Sequence, residues 1–242
     1  MPTGQTVRVP LSDGRALDGY LALPAATPAA AVLVVHEIYG LNDQIRDVTG
    51  RLAEAGYVAL AVNLFSGAPR AVCMARLLTA MARRSTESGP VRDLRASLDW
   101  LRGRDEVGAA DTGTIGFCMG GTFALALACT DSDLKAASVF YGQNPRPLSA
   151  LQRACPIVGS YPGDDRLTRG GAVRLEEALA AAEVPHDVKV YEGARHSFFN
   201  DRGRAYHSLA AADSWARTLA FFESHLGPRP AGDDVGATPA AP

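Results

Sequence analysis

The hexapeptide Gly116-Phe117-Cys118-Met119-Gly120-Gly121 constrains this chain more than any other stretch. A turn and a short strand precede it, in Asp111-Thr112-Gly113-Thr114-Ile115. An apolar, alanine-rich helix follows, in Thr122-Phe123-Ala124-Leu125-Ala126-Leu127-Ala128-Cys129. A strand that turns sharply into a buried helix is the setting of a nucleophile elbow, here with cysteine in place of the commoner serine. So tight a turn needs Gly116 and Gly120 on steric grounds, and Gly121 lets the helix pack closely. The helix N-terminus brings free N–H groups and a positive partial charge beside Cys118, which favours a thiolate and then an oxyanion. Taken alone, the hexapeptide reads equally well as a glycine turn around a buried, inert cysteine.

The rest of the chain alternates strands with helices. Residues 5–11 and 16–23 alternate polar and apolar side chains around the turn signal Asp13-Gly14, which predicts a β-hairpin. Residues 31–35 form a continuous apolar run, as in a parallel strand covered on both faces. An amphipathic helix is predicted over 43–55, with Ile45, Val48, Leu52 and Ala55 on one face and Gly56 as its stop signal. A strand follows over 57–63. Residues 66–89 are less regular: Val72, Leu77, Leu78 and Met81 could line a helix, its first turns cap-like, and 83–89 reads as a polar loop. Pro90 starts a helix with Val91, Leu94, Leu98 and Leu101 on one face. Strands are then predicted over 114–117, 135–141, 156–161 and 186–191, and helices over 172–182 and 209–226. This order predicts an α/β fold with a mostly parallel sheet flanked by helices, in one domain over 1–226. Residues 227–242, rich in Pro, Gly and Ala, are predicted to be a disordered tail.

Composition narrows the function classes. The chain has 242 residues and a formal net charge of −2, without a basic run, which argues against nucleic acid as a partner. The longest apolar runs, such as 29–35, are too short to span a bilayer, and the first residues lack the pattern of a signal peptide. A cytoplasmic monomer without metal or other cofactor is expected. The four cysteines, at 73, 118, 129 and 155, form no C-x-x-C pair and do not suggest a zinc site or a disulfide scaffold.

Ligands of open α/β sheets bind at the carboxyl ends of the strands, and the candidate residues fall there. Cys118 leaves the elbow, Asp164 or Asp165 leaves a later strand, and His196 leaves the one after it. Nucleophile, acid and histidine in that order suit acyl transfer. The thiolate attacks the acyl carbon, the imidazole takes and returns the proton, and the carboxylate orients the imidazole. The expected oxyanion donors are the backbone N–H of Met119 and that of Ile38, in the loop after the 31–35 strand. Glu37, a carboxylate at the end of a buried strand, is costly there unless used, and is read as a second carboxylate within reach of the thiol.

These pieces together resemble the dienelactone hydrolase family of carboxymethylenebutenolidases. The resemblance spans roughly 7–226. It is carried by Val-Leu-Val-Val-His-Glu-Ile-Tyr-Gly-Leu-Asn (32–42), the 51–64 stretch, Gly-Phe-Cys-Met-Gly-Gly (116–121), Gly-Ser-Tyr-Pro-Gly-Asp-Asp (159–165) and Tyr-Glu-Gly-Ala-Arg-His-Ser-Phe (191–198). It implies an α/β-hydrolase fold and hydrolysis of a small ester or lactone through an acyl-enzyme. Cys118 would be the nucleophile, His196 the base and Asp165 rather than Asp164 the acid. Glu37 would hold the resting thiol and help deprotonate it when substrate binds. The family binds a substrate carboxylate with arginines, one of them four residues after the histidine, where this chain has Asn200. Arg202 or Arg204, and Arg70 or Arg76 in the cap-like region, are the candidates to replace them. Arg76, Arg202, Tyr39 and Phe198 make up the expected substrate-binding set. Two rivals stand beside this reading. One is a non-catalytic ligand-binding protein on the same fold, which the intact triad disfavours. The other is a thiol redox protein, which needs a second thiol near Cys118, whereas Cys129 lies about three helical turns away.

Overall fold

The run Ala31–Val35 becomes strand β3, whose five residues are all buried. Val32 and Val34 point into one apolar layer while Ala31, Leu33 and Val35 point into the other. A strand with period two can be apolar throughout only when both its faces are covered. The computed structural model describes residues 4–227. The expected tail therefore lies, apart from Gly227, outside the described residues.

Eight strands form the sheet: β1 (Gln5–Pro10), β2 (Ala16–Ala22), β3, β4 (Val58–Val62), β5 (Thr112–Phe117), β6 (Leu134–Phe140), β7 (Ile157–Asp164) and β8 (His186–Arg195). Their spatial order is β1-β2-β4-β3-β5-β6-β7-β8. The hairpin β1–β2 pairs antiparallel and joins β4 antiparallel; the other pairs are parallel. This mostly parallel sheet with helices on both faces is the α/β-hydrolase architecture.

Helices α1 (Asp43–Glu54) and α6 (Ser208–His225) cover one face, with Ile45, Val48, Leu52 and Phe222 in that layer. Helices α3 (Gly89–Arg102), α4 (Met119–Ala128) and α5 (Gly171–Ala181) cover the other. α1 begins where the Asn42 side chain accepts from the Ile45 amide at 3.1 Å, satisfying one of the free amides of a first turn. It stops at Gly56, whose φ of +94° continues no helix. All ten residues of α4 are buried, because it threads beneath the sheet's centre rather than along its surface.

Several elements differ from the sequence reading. The irregular stretch holds a continuous helix α2 (Arg70–Arg83), and its inner face is Cys73, Leu77 and Ala80. Val72 and Leu78 point outward. Apolar residues adjacent in sequence do not share a helical face, and packing against α3 selected the other set. β7 and β8 run on to Asp164 and Arg195, which pair across the ladder. That extension carries Asp165 and His196 beyond the strand ends expected from hydrophobicity. A short 3-10 helix, Leu148–Arg153, was not anticipated.

Candidate active site

β5 delivers the backbone to Cys118, which sits at φ 54° and ψ −114° as the N-cap of α4. An L residue pays for this conformation with strain, which persists only where the surroundings fix it. Here the Cys118 amide donates to the Phe140 carbonyl at 3.0 Å, and the Cys118 carbonyl accepts from the Thr122 amide at 3.1 Å. The turn is closed by glycine. A Cβ on Gly116 would meet the Gly120 carbonyl, and one on Gly120 would meet the Val35 and His36 carbonyls.

Of the two candidate aspartates, Asp165 is the one that meets the histidine. Its Oδ2 accepts from His196 Nδ1 at 2.8 Å and from the Thr168 hydroxyl at 2.6 Å, and its Oδ1 accepts from the Leu167 amide at 2.9 Å. Burial opposes its ionisation, but the hydrogen bonds from Thr168, His196 and Leu167 outweigh that and hold the carboxyl below its ordinary value. Asp164 stays exposed in the ladder. Donation by Nδ1–H leaves the His196 Nε2 lone pair free, and Nε2 has no hydrogen-bond partner among the described residues. The Tyr141 ring lies 5.0 Å from the imidazole.

The thiol itself is neutral at rest. Burial and then the charge of Glu37 push Cys118 up to about 12, against the Met119 N–H, which works in the opposite direction. The helix N-terminus alone was expected to favour a thiolate; in this setting desolvation wins. Glu37 is 2% exposed, and burial raises its own affinity for a proton. Its Oε1 accepts from the Ser197 hydroxyl at 3.0 Å, and its Oε2 is buried without a hydrogen-bond partner. Tyr141 and Asn200 also face this carboxylate. Ile38 follows Glu37 in the loop after β3, and Met119 opens α4.

His36, next to Glu37, fixes the loop. It is fully buried, its Nδ1 donates to the Glu37 carbonyl, and its Nε2 accepts from the Leu64 amide at 3.0 Å. Burial lowers its pKa to about 4. The folded state therefore keeps this imidazole neutral, while the unfolded chain protonates it near its ordinary value of about 6.5. Its contribution to stability is complete above about pH 6.5 and is lost as the pH falls towards 4, because the unfolded state binds the extra proton. Urea unfolding between pH 7 and 4 is expected to show this slope, up to about 1.4 kcal/mol per pH unit. His36→Asn should flatten it; an identical slope in the variant would assign the effect to other groups.

Two of the expected substrate contacts, Phe198 and Arg76, are engaged elsewhere. Phe198 is fully buried, with its ring against Phe140, Tyr141 and Tyr191. Ser197, at φ 64°, reverses the chain after His196, so the next side chain enters the core. Arg76 is bound to Asp93 of α3, which also takes Arg15 from the hairpin. That carboxylate is almost buried and needs those cations, so Arg76 is committed away from the triad. Arg202 pairs with Asp43 at 3.4 Å on the surface. Tyr39 is 64% exposed on the rim of the Glu37 loop. Arg70 lies over the Phe65 ring, 4.5 Å from its centroid. Cys129, at the far end of α4, is buried away from Cys118.

Sequence reasoning missed His36, Tyr141, Ser197 and Thr168. Tyr141 had a signal: it is a polar residue at a strand end, like Glu37 and Cys118. Ser197 had none, because its role depends on a positive φ that serine seldom adopts.

Comparison with known proteins bears on the family and the fold. The family model described as "Dienelactone hydrolase family" matches residues 17–226. A protein of Saccharolobus solfataricus named "Putative carboxymethylenebutenolidase" is 35% identical, over 87% of this chain and 95% of its own. A "Putative Dienelactone Hydrolase" from Klebsiella pneumoniae superposes with a TM-score of 0.82 at 27% identity, covering 93% of this chain and all 100% of that one. A dienelactone hydrolase-like promiscuous phosphotriesterase from metagenomic libraries has a TM-score of 0.80 at 25% identity, covering 93% and 99%. A match over nearly the whole sheet, from β2 to the end of α6, means that this chain belongs to the dienelactone hydrolase family and is a hydrolase of the ester and lactone type.

Proposed function

We propose that the chain cleaves a small ester or lactone through an acyl-thioester on Cys118, with His196 as proton carrier, Asp165 as its orienting carboxylate and Glu37 as the group that controls the thiol. The observation that carries this reading is the strained Cys118 at the head of a buried helix, beside a His196–Asp165 pair joined at 2.8 Å with Nε2 free. In the first half-reaction the thiol proton passes to His196 Nε2 and Sγ bonds to the carbonyl carbon. The oxyanion is met by the Met119 and Ile38 N–H groups. The acyl C–O bond then breaks, and the leaving oxygen takes the proton back from Nε2. Water repeats the cycle: it gives a proton to Nε2, attacks the thioester and releases the acid, and the sulfur is reprotonated.

The carboxylate of Glu37 sets when this begins. With the thiol pushed well above its ordinary value by burial and by Glu37, the resting sulfur is protonated at neutral pH and poorly nucleophilic. A substrate that shifts the Glu37 charge away from Sγ removes one of the causes of that elevation. Brief mixing with p-nitrophenyl acetate, followed by acid quench and peptide mass spectrometry, is expected to find the acetyl group on Cys118. Steady turnover with no acylated Cys118 at any time would refute the covalent path. In the Glu37→Gln variant, the pH midpoint of iodoacetamide alkylation of Cys118 is expected to move down by about one unit, since a neighbouring negative charge has gone. Turnover should fall at the same time. An unmoved or raised midpoint would mean that burial and the Asp165 charge hold the proton without Glu37.

A further inference from the structure

Cys129 and Cys155 are far apart in sequence, and nothing in their spacing pairs them. The fold does. Cys129 is the C-cap of α4, and Cys155 leads into β7. The Cys155 amide donates to the Ala128 carbonyl at 3.1 Å. That carbonyl belongs to the peptide bond between Ala128 and Cys129. Standard bond lengths then hold the Cα atoms of the two cysteines within about 7 Å of each other. Disulfides span Cα separations of about 4.4–6.8 Å, so the backbone already brings the pair to bridging distance.

The side chains agree with the backbone. Both thiols are free, and both pack on the apolar layer under α3, α4 and α5. They also sense each other. Burial raises the Cys155 thiol, and the next largest cause of its rise is the charge of Cys129. Cys129 is buried, but it lines a surface cleft of about 450 Å³ with Val91, Arg95 and Arg153. Cys155 is partly exposed. A small molecule therefore has a route to the pair.

We infer that Cys129 and Cys155 are an oxidative modification site, which hydrogen peroxide closes to a disulfide between the end of the elbow helix and the start of β7. Cys155, the more exposed thiol, meets the oxidant first. Its sulfur bonds to one peroxide oxygen, the O–O bond breaks, and the other oxygen leaves as water. The product is a sulfenic acid. The Cys129 sulfur then attacks that sulfur. The S–S bond forms, the S–O bond breaks, and the hydroxyl leaves as water with the Cys129 proton. The two thiols give up two electrons and two protons in all, and one peroxide becomes two waters. Burial pushes Cys129 up to about 12, so both sulfurs are protonated at neutral pH and closure is slow. Ionisation sets the rate; native geometry sets how well the bond, once made, resists reduction. The staple joins the ends of α4 and β7 that lie away from Cys118 and Asp165. It acts on the unfolding of this layer rather than on the reacting groups.

The test uses the full chain with Cys118→Ala, which removes the elbow thiol. Trypsin then releases Cys129 in the peptide 105–135 and Cys155 in the peptide 154–166, with no other cysteine in either. The folded protein is treated with hydrogen peroxide, its remaining thiols are blocked with iodoacetamide in urea, and the digest is mapped by mass spectrometry without reductant. Peptides 105–135 and 154–166 are expected as one linked species that dithiothreitol separates. The urea midpoint of the oxidised protein is expected to lie about 0.5–1 M above that of the reduced protein, because the bond closes a loop in the unfolded chain. Adding Cys155→Ser should abolish both the link and the shift. Sulfinic or sulfonic acid on either cysteine without the link overturns the inference. So does a link that forms only when peroxide is added in urea, since the pair then owes nothing to the fold. An unchanged or lowered midpoint in the linked protein overturns it too, because native geometry would then strain against the bond. The map reads the folded single variant directly, so the outcome stands even where the double variant folds poorly.

Discussion

Turnover of p-nitrophenyl acetate is expected to fall by about 10⁴-fold or more in Cys118→Ala, a loss of about 5.5 kcal/mol of transition-state stabilisation. The size follows from what the sulfur does. Removing it deletes the covalent path and leaves only binding and the two oxyanion amides, a remainder that in other triads retains about 10³–10⁴-fold over water. The variant is also a fair test of folding. Alanine keeps the Cβ, so the φ of 54° at this position costs no more than it does already, and the Phe140 and Thr122 backbone bonds are untouched. Parent and variant should therefore unfold within about 1 kcal/mol of each other. An alanine variant with the parent rate would mean that Cys118 is a packing residue. Asp165→Asn should lose less than Cys118→Ala, because it disturbs the imidazole tautomer but leaves the sulfur in place.

Local signals in the sequence were enough for the frame of the fold. Ala31–Val35 could only be a strand covered on both faces, and it is the centre of the sheet. Gly56 marked the end of α1 because helix termination is local chemistry, while the Asn42 cap at its start was not read. Cys118, Asp165 and His196 follow β5, β7 and β8, an order along the chain that could be read although β7 and β8 run further than hydrophobicity predicts. What was not legible depends on direction. Phe198 follows a histidine in sequence, but the positive φ of Ser197 turns it into the core. Arg76 looked free in a basic helix, but Asp93, buried from an element further along the chain, claims it. The depth of Cys118 set its protonation, and no property of the hexapeptide reports depth. Tyr141, from the end of β6, and Ser197 and Asn200, from the loop after β8, converge on Glu37, so their grouping exists only in the folded chain.

Gly120→Ala is expected to lower stability by about 4 kcal/mol or more, the upper end of what single substitutions do, although alanine is the better helix former. Helix propensity would favour the alanine by roughly 1 kcal/mol. The position opposes it. The added methyl would be driven into the Val35 and His36 carbonyls, which are backbone atoms at the end of β3 and cannot rotate away. Relief requires moving α4 off the sheet, and every residue of α4 is buried, so the displacement opens the layer between α3 and β6. Small domains are stable by only about 5–15 kcal/mol, so the variant should melt well below the parent in a denaturant titration. Activity should be lost at temperatures where the variant is still folded, because the same contact sets the distance from the elbow to the Glu37–Ile38 loop. A shift of about 1 Å there misaligns nucleophile and oxyanion donors together. An alanine variant with the parent's unfolding midpoint would show that α4 has room to slide. Gly171→Ala is the matched control: it too lies in a helix, nothing stands within 4 Å of its added Cβ, and it should be neutral or mildly stabilising.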